Sequence, residues 1–390
     1  MTKLFAFGIL AGLVLTFCAG AQEAPARRPV NLAAPDGTTL KATYFAAAKE
    51  GPGVLLMHQC NQQRKNWDEL AGKLAAAGVH VMTIDYRGFG ESGGTRFLDI
   101  PGPERLQTVR EKWPGDMDAA YTYLMSQKGV SHQIAGAGGA SCGVNQAIQL
   151  ARRHPQVKSL VLLSGNTDLD GRNFLRKSAQ VPVLLSAAED DQGAVELMEW
   201  LYALSPNPGS KFVHYQTGGH GVDMFGSHKD LPEVIVEWYV QTLVKTPGEA
   251  PPVKARNTTP EEVKTLNLLD EPGGATKVME QLNEERKKDP KASLFNEGMV
   301  NLIGYEHLQA GDTKDAIGIF KLNVMAYPNS PNVYDSLSDG YVADGQKELA
   351  LENAKKALTL LASDTTDDEA RRKAIQESAE GKLKQLGRNL

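Results

Sequence analysis

Gly139-Ala140-Ser141-Cys142-Gly143 decides how this chain is read. The stretch spells G-x-S-x-G, follows the apolar run Gln133 to Ala137, and opens a helical pattern from Val144 to Arg153. A serine on a sharp strand-to-helix turn sits on strained backbone. A Cβ two positions before or after it crowds the neighbouring chain, which is why glycine is wanted at both places. Such a turn exposes the hydroxyl at the end of a sheet, where it can act as a nucleophile.

Outward from this turn, residues Val30 to Val244 alternate between strand and helix patterns. Val30 to Ala33 and Leu40 to Phe45 flank Pro35-Asp36-Gly37, a turn signal, and predict a hairpin. Val54 to His58, Val79 to Ile84, Gln133 to Ala137, Leu160 to Ser164, Val181 to Ala187 and Lys211 to Tyr215 read as further strands, about eight in all. Trp67 to Ala77 and Asp116 to Met125 read as helices. Continuous apolar runs separated by helices predict an α/β fold: a doubly wound, mostly parallel eight-stranded sheet covered on both faces.

The C-terminal third differs in kind. Pro247 to Pro260 is rich in Pro, Thr and charge, without apolar periodicity, and reads as a linker. Beyond it Glu261 to Leu269 and Thr276 to Lys288 are helical, with Pro290 stopping the second. From Glu297 onward Gly304 matches Ser338, His307 matches Tyr341 and Ala316 matches Ala350, a spacing of 34 residues. Small residues at such positions let paired helices approach, and aromatics fill the gaps. Two repeats are fewer than a free solenoid needs. Either the helices before Pro290 serve as a degenerate first repeat, or the array packs on the preceding domain.

The formal net charge is −5 over 390 residues, and nothing points to nucleic acid. Lys3 is the sole charge before Glu23, Leu4 to Phe17 is apolar, and Ala19-Gly20-Ala21 offers a small-residue cleavage site. A signal peptide over residues 1–21 is expected, with an exported, periplasmic or secreted product and no stable membrane span after cleavage. The apolar run is short for a membrane anchor, and bulky Phe17 disfavours lipid attachment at Cys18. Of 3 cysteines, Cys60 and Cys142 then remain, too few for a disulfide framework. There is no H-E-x-x-H, no C-x-x-C and no carboxylate-rich calcium loop, so no metal or other cofactor is called for.

By these landmarks residues 28–246 resemble the α/β-hydrolase superfamily, in particular its dienelactone hydrolases and esterases. Residues 261–390 resemble tetratricopeptide repeats. The resemblance implies a triad in the chain order Ser141, Asp191, His220. Dienelactone hydrolases use cysteine, which makes Cys142 a rival nucleophile. Its flanking positions, however, are Ala140 and Val144, and a β-branched valine suits the turn poorly. Gly218-Gly219-His220-Gly221 follows the last strand, where the family carries its base, and histidine titrates near neutral pH. Asp191 is the preferred acid, counting from Ala188 as the small residue after the strand; counting from Ala187 gives Asp190 instead. The oxyanion hole is expected from the backbone N–H groups of Cys142 and Cys60, although Gln59 stands where the family usually has glycine. Asp85-Tyr86-Arg87-Gly88-Phe89-Gly90-Glu91-Ser92 resembles a structural turn of the family.

Cys60 and Cys142 flank the same hole, and a disulfide between them is an open alternative to packing. Gly93 to Trp113 is an insert whose Phe97, Leu98, Ile100 and Pro101 suit either an acyl-pocket wall or ordinary packing. Gly165 to Gln180 is too short for a large cap. The implied activity is two-step hydrolysis of a small carboxylic ester. A peptidase or acyltransferase on the same triad is the rival enzyme reading. A binding protein with an incidental hydrolase domain is a third, with the repeats recruiting a protein or peptide or mediating self-association.

Overall fold

The computed structural model describes residues 26–191, 193–246 and 261–387. The expected signal peptide and the linker Pro247 to Pro260 lie outside the described residues. The strands are β1 Ala26–Ala33, β2 Thr39–Ala46, β3 Gly51–Met57, β4 His80–Ile84, β5 Val130–Ala140, β6 Val157–Leu163, β7 Val183–Ala188 and β8 Lys211–Tyr215. They form one 8-stranded sheet in the order β1-β2-β4-β3-β5-β6-β7-β8. The β1–β2 and β2–β4 pairs are antiparallel and every other pair is parallel. The helices of this unit are α1 Asp68–Ala76, α2 Gly102–Gln107, α3 Trp113–Met125, α4 Cys142–Arg153, α5 Leu169–Lys177, α6 Ala194–Leu204, α7 Met224–Ser227 and α8 Asp230–Tyr239.

Alternation along β3 explains the layering. Leu55 and Met57 belong to one apolar cluster with Trp113 and Met117 of α3 and Ile148 of α4. Val54 and Leu56 belong to a second with Leu70 and Leu74 of α1 and Ile235 and Tyr239 of α8. Successive side chains point to opposite faces, so a strand apolar at every position feeds two cores.

Several boundaries differ from the sequence reading. β1 starts at Ala26, ahead of both Val30 and the expected domain start at residue 28. The guanidinium groups of Arg27 and Arg28 lie over the rings of Phe45 and Tyr44, at 5.6 and 4.8 Å from their centroids. Charged residues thus extend a strand whose apolar signal began later. Pro29 is tolerated because β1 is the sheet edge. Helix α3 opens at Trp113, ahead of Asp116, with Pro114 in its first turn where a missing N–H costs nothing. β5 opens at Val130 with polar residues that carry no apolar signal, and Val181 precedes β7.

The C-terminal unit comprises α9 Glu261–Leu269, α10 Gly274–Lys288, α11 Glu297–Gln309, α12 Thr313–Ala326, α13 Pro331–Ala343, α14 Lys347–Leu361 and α15 Glu369–Gly387. The hairpins α11–α12 and α13–α14 repeat the spacing expected from the sequence. A Cβ at Gly304 would lie 2.5 Å from the Phe320 ring, and the matching Ser338 is buried and donates to the Ala350 carbonyl at 2.7 Å. No described helix is long and apolar enough to cross a membrane.

Of the two alternatives for this array, packing on the sheet domain is present. Val263, Leu266 and Leu269 of α9 join the apolar cluster that contains Leu201 of α6. Arg172 of α5 is fully buried, bonds Asp270 through Nε at 2.8 Å and pairs with Glu306 of α11. Arg176 also reaches Asp270, at 2.5 Å, and Trp200 Nε1 donates to Asn267 at 2.9 Å. Burying charge is costly unless every charge is paired, so this cluster fixes how the two units meet.

Candidate active site

Ser141 lies between the last residue of β5 and the first of α4, with φ 53° and ψ −119°. Its N–H donates to the Leu163 carbonyl at 2.8 Å and its carbonyl accepts from Val144 at 2.9 Å, which pins this strained conformation. A Cβ at Gly139 would sit 1.9 Å from the Gly143 carbonyl oxygen, and one at Gly143 would sit 2.4 Å from that of Met57. The two glycines of the motif are therefore steric requirements.

His220 follows β8. Its Nδ1 pairs with Asp191 Oδ2 at 2.7 Å. A carboxylate at Nδ1 favours the tautomer protonated there, leaving Nε2 as the proton acceptor. Of the two candidate acids, Asp191 thus holds the imidazole. Asp190 instead accepts the N–H groups of Gly218 and Gly219, both at 3.0 Å, and these two bonds lower its pKa. Packing brings the histidine loop to the elbow: a Cβ at Gly221 would sit 3.2 Å from Ala140 Cβ. Among the described residues no hydrogen bond joins Ser141 Oγ to His220. Such bonds are commonly long in ligand-free sites and tighten in the Michaelis complex.

Cys142 is the first residue of α4, so its N–H is one of the helix donors without an intrahelical acceptor. Cys60 occupies the second position of a turn closed by Gln62 N–H on the Gln59 carbonyl at 3.0 Å, so the turn gives its N–H no acceptor. The two cysteines are joined by a disulfide, with Cα atoms 5.9 Å apart. His58 is fully buried. Its Nδ1 donates to the Gln59 carbonyl at 2.7 Å and its Nε2 accepts from Tyr86 N–H at 3.3 Å. Burial pushes its pKa down to about 4, and it serves as a neutral structural group.

The charged residues of the D-x-R-G-x-G-x-S turn are structural, as read from the sequence, whereas its Phe89 lines a cavity. Arg87 bonds Asp116 and Asp36, while buried Asp85 pairs with Arg64. Beside Cys60 lies a cavity of about 420 Å³ lined in part by Phe89, Arg96, Phe97 and Leu98. Of the four insert residues singled out, Phe97 and Leu98 line it, and Ile100 and Pro101 do not. Among the described residues no cluster of three or more His, Cys, Asp or Glu side chains could hold a metal ion.

The sequence reading missed the role of Gln59. Its side chain is fully buried; Oε1 accepts from Val222 N–H at 2.9 Å and Nε2 donates to Asp223 at 3.3 Å. The signal available was its departure from the family's glycine.

A family profile described as serine aminopeptidase, S33, matches residues 52–188. That span runs from β3 through the elbow to the end of β7, in the strand order set out above.

The N-terminal unit has the α/β-hydrolase fold.

The matched span contains Ser141, Cys60 and Cys142 and ends before Asp191 and His220. An uncharacterized protein of Mycobacterium tuberculosis, found in two strains, is 32% identical to this chain over 147 residues, 37% of this chain and 48% of the relative. The chain thus spans about half the length of the curated relatives it matches. Among solved structures, an esterase of Pyrococcus furiosus aligns over 56% of this chain and 91% of its own, with 17% identity and a TM-score of 0.46. A dienelactone hydrolase of Anabaena variabilis aligns over 56% and 99%, with 19% identity and a TM-score of 0.45.

Proposed function

We propose that this protein hydrolyses a small carboxylic ester through an acyl-enzyme, with Ser141 as nucleophile, His220 as general base and Asp191 as the acid that orients it. The observation that carries the reading is the 2.7 Å pair between Asp191 and His220 Nδ1, on a loop packed against the elbow of Ser141. His220 Nε2 takes the proton from Ser141 Oγ as the oxygen attacks the ester carbonyl. The tetrahedral oxyanion is held by the N–H groups of Cys60 and Cys142, each such donor contributing about 3–4 kcal/mol in the transition state. His220 returns the proton to the departing alcohol, and water repeats the sequence on the acyl-enzyme. The cavity lined by Phe89, Phe97 and Leu98 accepts an apolar portion of the substrate.

We further infer that the protein works in an oxidising compartment after export, a reading supported by the disulfide, since such bridges rarely persist in reducing ones. The helical unit is read as a tetratricopeptide-like array that offers a surface to a protein or peptide partner, or to a second copy.

A second reading, an aminopeptidase on the same triad, is favoured by the description of the family profile. The test is fluorophosphonate labelling of the full chain, followed by turnover of p-nitrophenyl esters and aminoacyl amides. Labelling lost in Ser141→Ala, with esters turned over faster, is expected. Faster amide turnover transfers the site to the second reading. A folded protein that does not label overturns both.

A further inference from the structure

The loop that carries His220 has little stiffness of its own. Gly218, Gly219 and Gly221 have φ of 152°, 74° and 60°, and glycine gives a chain more conformational freedom than any other residue. Side chains from other elements restrain it on both sides of His220. On the upstream side Asp190, just after β7, binds the N–H groups of Gly218 and Gly219. On the downstream side Gln59, just after β3, binds Val222 N–H and the Asp223 carboxylate. Gln62 adds a bond to the other Asp223 oxygen at 3.1 Å, and Asp223 N–H closes the turn on the His220 carbonyl at 3.1 Å. The fit is close: a Cβ at Gly221 would lie 2.2 Å from Gln59 Oε1.

Gln59 is flanked by His58 and by Cys60, whose sulfur is bonded to Cys142 beside the nucleophile. One segment, residues 58–60, therefore grips the base loop through a carboxamide and the elbow through a disulfide, and it also supplies a backbone donor.

We propose that Gln59 is a positioning residue that holds His220 in register with the oxyanion donors, so that base and hole are set as one unit. The proposal rests on the reading of Ser141 and His220 as nucleophile and base. Gln59 touches neither substrate nor reacting atoms. It acts through Val222 and Asp223 on the imidazole between its two anchors. A glycine at this position leaves Val222 N–H and Asp223 without these partners.

The test measures ester turnover and fluorophosphonate labelling in the full chain, with Ser141→Ala as reference. Gln59→Met keeps the length of the side chain and removes both bonds. It is expected to lower kcat and the labelling rate together, on the order of 30- to 100-fold, with KM within about twofold. Gln59→Glu keeps the acceptor for Val222 but sets a carboxylate against Asp223. Adding Asp223→Asn restores a donor–acceptor pair in the opposite sense, and the double variant is expected to regain most of the loss. Register between two loops predicts both the kcat-against-KM split and the rescue, whereas loss of folding predicts neither. If Gln59→Met does not fold, Gln59→Glu with and without Asp223→Asn decides the matter. A Ser141-dependent wild type whose Gln59 variants turn over at its rate overturns the proposal and leaves the catalytic reading standing. Wild-type turnover that survives Ser141→Ala overturns both.

Discussion

Cys60 and Cys142, separated by 82 positions in sequence, are covalently joined across the gap between the turn after β3 and the first turn of α4. These are the two residues whose N–H groups are proposed to hold the oxyanion. The bond limits how far those donors can drift apart. Reduction is expected to lower kcat about tenfold, a fraction of the effect of deleting a donor outright. Closing a loop of this length restrains the unfolded chain by about 4–5 kcal/mol in the entropic account, so reduction also lowers the unfolding midpoint. Thiol alkylation read by mass spectrometry, with activity before and after reduction, checks both. Unchanged turnover in fully reduced protein removes the disulfide from the account of the site.

Two adjacent carboxylates do different work. Asp191 holds the imidazole at Nδ1, whereas Asp190 holds the backbone of the loop that carries it. Asp191→Asn leaves His220 in the wrong tautomer, and kcat is expected to fall on the order of 10⁴-fold. Asp190→Asn removes one acceptor for the paired glycine N–H groups, and a loss of about tenfold is expected. Steady-state kinetics of the two variants on one ester separates the roles. Equal losses contradict the division.

The pairing of Asp191 with His220 was legible as a preference, because a strand followed by a small residue and an acid sets the count. The elbow was legible because its glycines answer to local sterics. The two core faces were legible because Val54 to Met57 of β3 are apolar without a break. What could not be read depends on partners far along the chain. Arg172 looks like any helical arginine until Asp270 and Glu306 close on it from the next unit. Gln59 was visible only as a departure from glycine, since its partners lie beyond residue 220. Arg27 and Arg28 concealed the start of β1, because their contacts with Phe45 and Tyr44 replace the usual apolar signal.

The buried cluster between the units makes stability depend on pH. Burial raises the Glu306 carboxyl to about 7 against the pull of Arg172. Burial works to lower the His307 pKa, but Asp270 and Asp312 overcome it and the net shift is upward. Burial would raise Asp270, yet Arg172, His307 and Arg176 hold it below the ordinary carboxylate range. Where a folded pKa lies above the unfolded one, the folded state binds more protons and stability falls as pH rises through the interval. Glu306 and His307 share that sign. Glu306 contributes a loss of stability as pH rises from the ordinary carboxylate range toward about 7. Asp270 has the opposite sign, but its contribution is lost only below its ordinary pKa. Unfolding midpoints are therefore expected to fall from pH 5 to pH 7.5. Glu306→Gln, which removes one titrating group, is expected to narrow that difference. An identical pH dependence in the variant excludes Glu306 as its source.

Leu98 is 58% exposed on the insert between β4 and α3, and it lines the cavity beside Cys60 together with Phe89 and Phe97. An acyl chain reaching that cavity covers Leu98 and gains about 0.8 kcal/mol for each methylene buried. Short acyl groups are expected to end before it. Leu98→Ser is therefore expected to lower kcat/KM for p-nitrophenyl hexanoate about five- to tenfold while leaving acetate within twofold. The ratio of the two esters is the useful readout, because a general loss of active protein lowers both and leaves it unchanged. An unaltered ratio in Leu98→Ser, with Phe97→Ala equally without effect on it, assigns the acyl group to another part of the surface and returns this insert to a purely packing role.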